Sequence, residues 1–229
     1  MALHRLMEMT ANNMANMSTP GFKSQNVLFG EYLNKTQDPA SGSISEVQES
    51  GTYRDLAQGT LTQTSNKLDF ALQGEGYFAV QTPSGVRYTR DGSFALNSKG
   101  EITTKDGDPV LNDTGSPLTI QPGATQITMN RDNSISTEKG TVGKLKVVTF
   151  GVEQAMTPIG NNLYEVAKAQ EKPVSKPQIE QGMLENSNVQ PILEMNKMID
   201  VLRNYQAAQN LVINDHDRIR AMIQQLTRV

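Results

Sequence analysis

The chain contains no cysteine, which removes disulfides, thiolate nucleophiles and zinc–sulfur sites together. Its histidines are His4 and His216 alone, so imidazole chemistry is nearly excluded as well. Tryptophan is absent and aromatic residues make up only 5%; that scarcity favours thin β layers and helices over one thick core. No apolar run approaches the roughly 20 residues of a spanning helix. Met1 to Met17 carries Glu8, Asn12, Asn13 and Asn16, where a signal peptide would have an uninterrupted apolar stretch. Membrane insertion is therefore not expected, and any export has to proceed without a cleaved signal. A formal charge of -3 with scattered lysines and arginines offers no positive field for phosphates and argues against nucleic acid as a partner. Catalysis needs convergent carboxylates or a nucleophile with a base, and no spacing in the chain supplies either. Gly74-x-Gly76 reads as a β turn rather than a dinucleotide loop, because the β pattern continues through Val80. Asp106-Gly107-Asp108 reads as a hairpin turn, since Pro109 spoils a calcium loop. No enzyme activity, metal or cofactor is expected.

What is present falls into successive textures. Residues 2–17 place Leu3, Met7, Thr10, Met14 and Met17 at spacings of four and three, the seam of a short amphipathic helix, which Pro20 and Gly21 end. Residues 30–66 are rich in Ser, Thr, Gln, Gly and Asn without a sustained period, an extended segment ordered by whatever it lies against. From Leu68 to about Val166, short β-rich runs alternate with Ser84-Gly85, Asp91-Gly92, Lys99-Gly100 and Asp106-Gly107. Closely spaced turns favour an antiparallel meander, which Pro158, Pro173 and Pro177 are expected to break up.

From Pro191 onward there is no further Pro or Gly, and Met198, Leu202, Tyr205, Gln209, Val212, His216, Ile219, Ile223 and Leu226 fall at spacings of four and three. That is a coiled-coil seam of about four heptads. Gln209 and His216 read as polar breaks that set register, although the imidazole also admits a pH-switch reading. An amphipathic helix draws its stability chiefly from packing, so this one requires a partner. The matching seam lies at the other end of the chain. The expected fold is thus a mostly β central domain, an antiparallel meander or sandwich, bracketed by N- and C-terminal helices that pair as a coiled coil. Its expected parts are 1–29, an N-terminal helix and turn; 30–66, a linker; 67–186, the β domain; and 187–229, the C-terminal helix. The expected assembly interface is Leu3, Met7, Met14, Met17, Met198, Leu202, Tyr205, Val212, His216, Ile219, Ile223 and Leu226. Since residues 2–17 span about 24 Å and the last element about 57 Å as helices, the natural chain is expected to begin upstream of Met1.

Particular strings carry a resemblance. Ala11-Asn12-Asn13-Met14-Ala15-Asn16-Met17-Ser18-Thr19-Pro20-Gly21-Phe22-Lys23 resembles the N-terminal signature of the bacterial flagellar rod and hook family. Leu68-Asp69-Phe70-Ala71-Leu72-Gln73-Gly74-Glu75-Gly76-Tyr77-Phe78 and Tyr88-Thr89-Arg90-Asp91-Gly92-Ser93-Phe94 are similar to the core of its β domain, and Gly182-Met183-Leu184-Glu185-Asn186-Ser187-Asn188-Val189 to the string before its C-terminal helix. Ala11, Asn12, Asn13, Asn16, Gly21, Phe22, Gly74 and Gly76 mark the signature. The resemblance implies a structural subunit that polymerises with copies of itself and other rod proteins into the torque-transmitting drive-shaft. It also implies delivery by the flagellar type III export apparatus and a place in the periplasmic rod of the basal body. Pro191-Ile192-Leu193-Glu194-Met195 and His216-Asp217-Arg218 look more like the proximal-rod than the distal-rod member. The reading from another class is a soluble periplasmic binding or hydrolytic module with a dimerising helix.

Overall fold

The computed structural model describes residues 2–34, 44–124, 126–130, 132–166, 171–174 and 176–226. Met1, and residues 35–43 of the expected 30–66 linker, lie outside the described residues. The chain divides into two compact units, each discontinuous in sequence.

The first unit takes the described parts of 1–15, 25–54 and 189–229. It holds α1 (Ala2–Ala15), a two-stranded antiparallel ribbon of β1 (Gln25–Asn34) and β2 (Ile44–Arg54), and α2 (Pro191–Leu226). α1 contains no Gly or Pro and favours Ala, Leu and Met, which form helix readily. α2 opens with Pro191 in its first turn, where a missing N–H is harmless, and its 36 residues reach about 54 Å. The ribbon runs from Gln25↔Arg54 to Asn34↔Ile44 with a bulge at Leu28/Phe29. The sequence reads this stretch as extended but not paired. A ladder held by backbone hydrogen bonds needs no apolar alternation, and Ser, Gln, Glu and Gly provide little.

The second unit takes 16–24 and 55–188 and is almost wholly antiparallel β. In chain order its strands are β3 (Leu61–Gln63), β4 (Phe70–Gln73), β5 (Tyr77–Thr82), β6 (Gly85–Thr89), β7 (Ala95–Leu96), β8 (Ile102–Thr103), β9 (Ile127–Met129) and β10 (Ser134–Thr137). There follow β11 (Gly140–Lys144), β12 (Val147–Phe150), β13 (Thr157–Gly160), β14 (Leu163–Glu165), β15 (Glu171–Pro173), β16 (Gln178–Gln181) and β17 (Met183–Glu185). Six strands form the main sheet, in the order β13-β14-β6-β5-β12-β15. β5 and β6 form the expected hairpin around Ser84-Gly85. Successive side chains of β5 enter opposite cores: Phe78 and Val80 join Phe70, Phe94, Ile102, Val110 and Ile135 on one face, while Tyr77 and Ala79 join Tyr88, Val148, Phe150 and Tyr164 on the other. A strand buried on both faces reads as an unbroken apolar run, as Tyr77-Phe78-Ala79-Val80 does.

Pro158 and Pro173 do not break the sheet, whereas Pro177 stands between β15 and β16, where the chain leaves the main sheet for a pairing with β4. Pro158 lies in β13 and Pro173 in β15, the two edge strands, where a missing N–H leaves no neighbour unsatisfied. Between β13 and β14 the chain turns through Asn161 and Asn162, both at positive φ (49° and 57°), the tight hairpin geometry that asparagine tolerates. The molecule is thus mostly β, with antiparallel sheets and a helix near each end of the chain. Among the described residues no helix is long and apolar enough to cross a membrane.

Candidate assembly interface

Within the second unit, the signature strings converge on one carboxylate. Glu185, at the end of β17, is buried with its side chain 2% exposed. Its Oε1 accepts from Lys23 Nζ at 2.6 Å and from the Gly59 amide at 3.1 Å, and its Oε2 accepts from Arg90 Nε at 2.6 Å. Lys23 also donates to the Ala57 carbonyl at 2.8 Å. Burial pushes the Lys23 ammonium below its usual pKa, and the hydrogen bond and charge of Glu185 oppose that shift. Arg90 directs its remaining donors at the carbonyls of Leu72, Gly74 and Gly76. Two desolvated cations thus share one carboxylate, and the guanidinium fork meets carbonyls for which a point-like ammonium has no matching geometry.

The signature glycines make this closeness possible. Gly21 sits at φ 68° and donates its amide to the Glu185 carbonyl at 2.7 Å. A Cβ there would lie 2.5 Å from the Arg90 carbonyl carbon. Gly76, at φ 138°, would place a Cβ 2.8 Å from Val147 Cγ1. Phe22 between them in the chain is buried, and Gly74 lies in the loop that Arg90 grips.

Within the first unit, Asn13 is 1% exposed. Its amide nitrogen donates to the Gln25 carbonyl at 2.8 Å and to Glu194 at 3.2 Å, and its oxygen accepts from the Gln25 amide at 2.9 Å. Asn13 thereby ties α1 to the start of β1 and to the first turn of α2. Of its companions in the signature, Ala11 and Asn12 are exposed, and Asn16, in the second unit, is half-buried.

α1 buries Met9, Thr10 and Asn13, while Leu3, Met7 and Met14 are half-buried; Met17 is exposed. Along α2 the buried side chains are Glu194 and Val201, with Met198 half-buried. Beyond Val201 the helix face is open: Leu202 (41% exposed), Tyr205, Val212 (68%), His216, Ile219 and Ile223 all lie in contact with solvent. The side chain of Leu226 is outside the described residues. Sequence reasoning singled out neither Val201 nor the charged set of Lys23, Arg90, Glu185 and Glu194. For the four charges the one available signal was their place inside glycine-bearing or apolar strings, which marks each as unusual without naming its partners.

Residues 1–23 match the family described as flagella basal body rod protein, residues 71–137 the flagellar hook protein FlgE/F/G D1 domain, and residues 180–225 the C-terminal region of the flagellar basal body rod FlgEFG proteins. The chain belongs to the family of flagellar basal-body rod proteins and is a structural subunit of the rod, assembling with other rod and hook proteins in the basal body. Within that family it is more like FlgF than FlgG. The flagellar basal-body rod protein FlgF of Caulobacter vibrioides is 35% identical over 232 residues, covering 100% of this chain and 95% of that one. FlgF of Mesorhizobium japonicum is 34% identical over 90% of this chain and 85% of its own. FlgG of Caulobacter vibrioides is 31% identical, over 95% and 92%. Each of the matched stretches contributes one charge to the buried cluster: Lys23 from the first, Arg90 from the second and Glu185 from the third.

Proposed function

We propose that the chain is a proximal-rod subunit that polymerises through the open face of α2 and carries torque from one neighbour to the next. The observation behind this reading is the run of exposed apolar side chains from Leu202 to Ile223 on a helix that is covered near its start only at Glu194, Met198 and Val201. An amphipathic helix leaves such a face uncovered only at a cost that a partner removes. Leu3, Met7, Met14 and Met17 with Met198, Leu202, Tyr205, Val212, His216, Ile219, Ile223 and Leu226 supply the interface. α1 and α2 pair as a coiled coil, completed by helices of adjacent subunits. Residues 1–29 and 187–229 then form the polymerising part, 30–66 the connection and 67–186 the β domain. The chain reaches the periplasm through the flagellar export apparatus without a cleaved signal and has no catalytic activity. Its buried charges engage one another instead of a substrate.

Replacing Leu202, Val212 and Ile219 together by Asp puts three charges into the apolar face and should abolish assembly. The expected result is loss of motility with the β circular dichroism unchanged. Normal motility would refute the interface, and loss of the β signal would show that the β unit depends on α2.

A further inference from the structure

The chain passes between its two units four times, at 15/16, 24/25, 54/55 and 188/189. Three of these crossings leave the β unit from Ser24, Asp55 and Asn188, and the Asn188 side chain ties all three. Its Oδ1 accepts from the Ser24 amide at 2.7 Å, and its Nδ2 donates to the Asp55 carbonyl at 2.8 Å and to the Ala57 carbonyl at 3.0 Å. The backbone adds Asp55 N to Ser24 O at 2.8 Å and Asn188 N to Phe22 O at 3.3 Å. The fourth crossing is followed at once by the turn from Asn16 to Thr19, and Gly21 then donates to the Glu185 carbonyl. Lys23, Ala57 and Glu185 are joined immediately behind this clasp, three residues or fewer from each of the three exits.

We infer that Asn188 is the keeper of a mechanical clasp that makes the three exits share any force the covalent chain carries into the β unit. This rests on the proposed torque-carrying role. Asn188 lies 131 to 164 residues from the groups its side chain holds, so local propensity contributes nothing and the clasp exists only in the closed fold. Hydrogen bonds arranged side by side across parallel attachment points resist together, whereas one exit without its ties would peel first. An amide suits this post because it both accepts and donates: Asp would lack the donors and Ala both functions. The buried ion cluster behind it has a different task, fixing the position of the residues to which the clasp is anchored.

The test uses Asn188→Ala in the full chain and in the flagellated bacterium. Exchange of the Ser24 amide should become roughly five-fold faster or more, while the β5–β6 hairpin keeps its protection. Basal bodies should contain the variant in the ordinary amount. Swimming should be normal in dilute medium and fail at a viscosity that the unaltered strain overcomes. Because the chain has no other cysteine, a Ser24→Cys, Asn188→Cys pair can join two of the exits covalently while Asp55 keeps its backbone bond to the Ser24 carbonyl, and oxidation should restore swimming under load. Identical speed–viscosity curves for Asn188→Ala and the unaltered strain, with exchange at Ser24 shown to be fast, would overturn the clasp. So would rods that fail to assemble and are not rescued by the disulfide, since Asn188 would then serve folding alone. Absence of the unaltered chain from basal bodies would instead overturn the rod reading itself.

Discussion

The β unit and the far half of α2 use the same kinds of residue in opposite ways. Phe70, Phe78, Val110 and Ile135 have no exposed surface, and Phe78 meets Phe94 edge-on at 5.4 Å between ring centroids. Leu211, Val212 and Ile213, by contrast, are each more than half exposed. Burial of apolar surface is the main favourable term in folding. The β unit therefore holds itself together, whereas α2 beyond Val201 gains that term only when something covers it. The difference separates what the chain does alone from what it does in a rod.

Substitutions can break this contrast on its stable side. Glu185→Leu removes the carboxylate that two buried cations share and should destabilise the β unit by about 3–5 kcal/mol, measured by urea unfolding followed by β circular dichroism. Phe78→Ala should cost a similar amount, about 3–5 kcal/mol, by leaving a cavity between Phe94 and the sheet. Lys23→Met should cost no more than about 1 kcal/mol, because Glu185 keeps Arg90 and the buried ammonium no longer has to be desolvated. On the open side, Ile213→Ala should change the stability of the free chain by less than about 0.5 kcal/mol; a larger loss would mean that this face is already packed.

The smallest effect concerns pH. Burial raises the Asp91 carboxyl above its ordinary value of 3.8, and the hydrogen bonds from Ser93 oppose the shift. A raised carboxyl favours the fold below that ordinary value and loses the contribution as pH climbs through the raised one. Asp91→Asn keeps an acceptor for Ser93 and removes the charge. Its stability relative to the unaltered chain should accordingly be better at pH 7 than at pH 3.

Much of this contrast is legible in the residues themselves. The period of three and four along α2 gives its helix, the unbroken Tyr77-Phe78-Ala79-Val80 run gives a doubly buried strand, and Ser84-Gly85 and Asp106-Gly107 give turns, whereas Asp91-Gly92 runs extended into the bridge between Asp69 and Ser93. The β1–β2 ribbon is not legible, because Gln25–Asn34 and Ile44–Arg54 lack the strict alternation that marks a half-buried strand. The persistence of the sheet past Pro158 is hidden as well, since a proline reads as a breaker until its strand is known to be an edge. The charged cluster escapes for a third reason. Lys23, Arg90 and Glu185 lie as much as 162 residues apart, and nothing local announces that each charge awaits the other two. Asn13 was visible as part of a signature, but its role in joining α1 to β1 and α2 depends on the fold.

Hydrogen exchange of the free chain set against the same chain in purified rods tests the central claim most directly. The account predicts strong protection of the β5, β6 and β12 amides in both states, and protection of 202–224 only in the rod. Equal protection of 202–224 in the free chain and in the rod would contradict it, since the open face of α2 would then owe nothing to assembly.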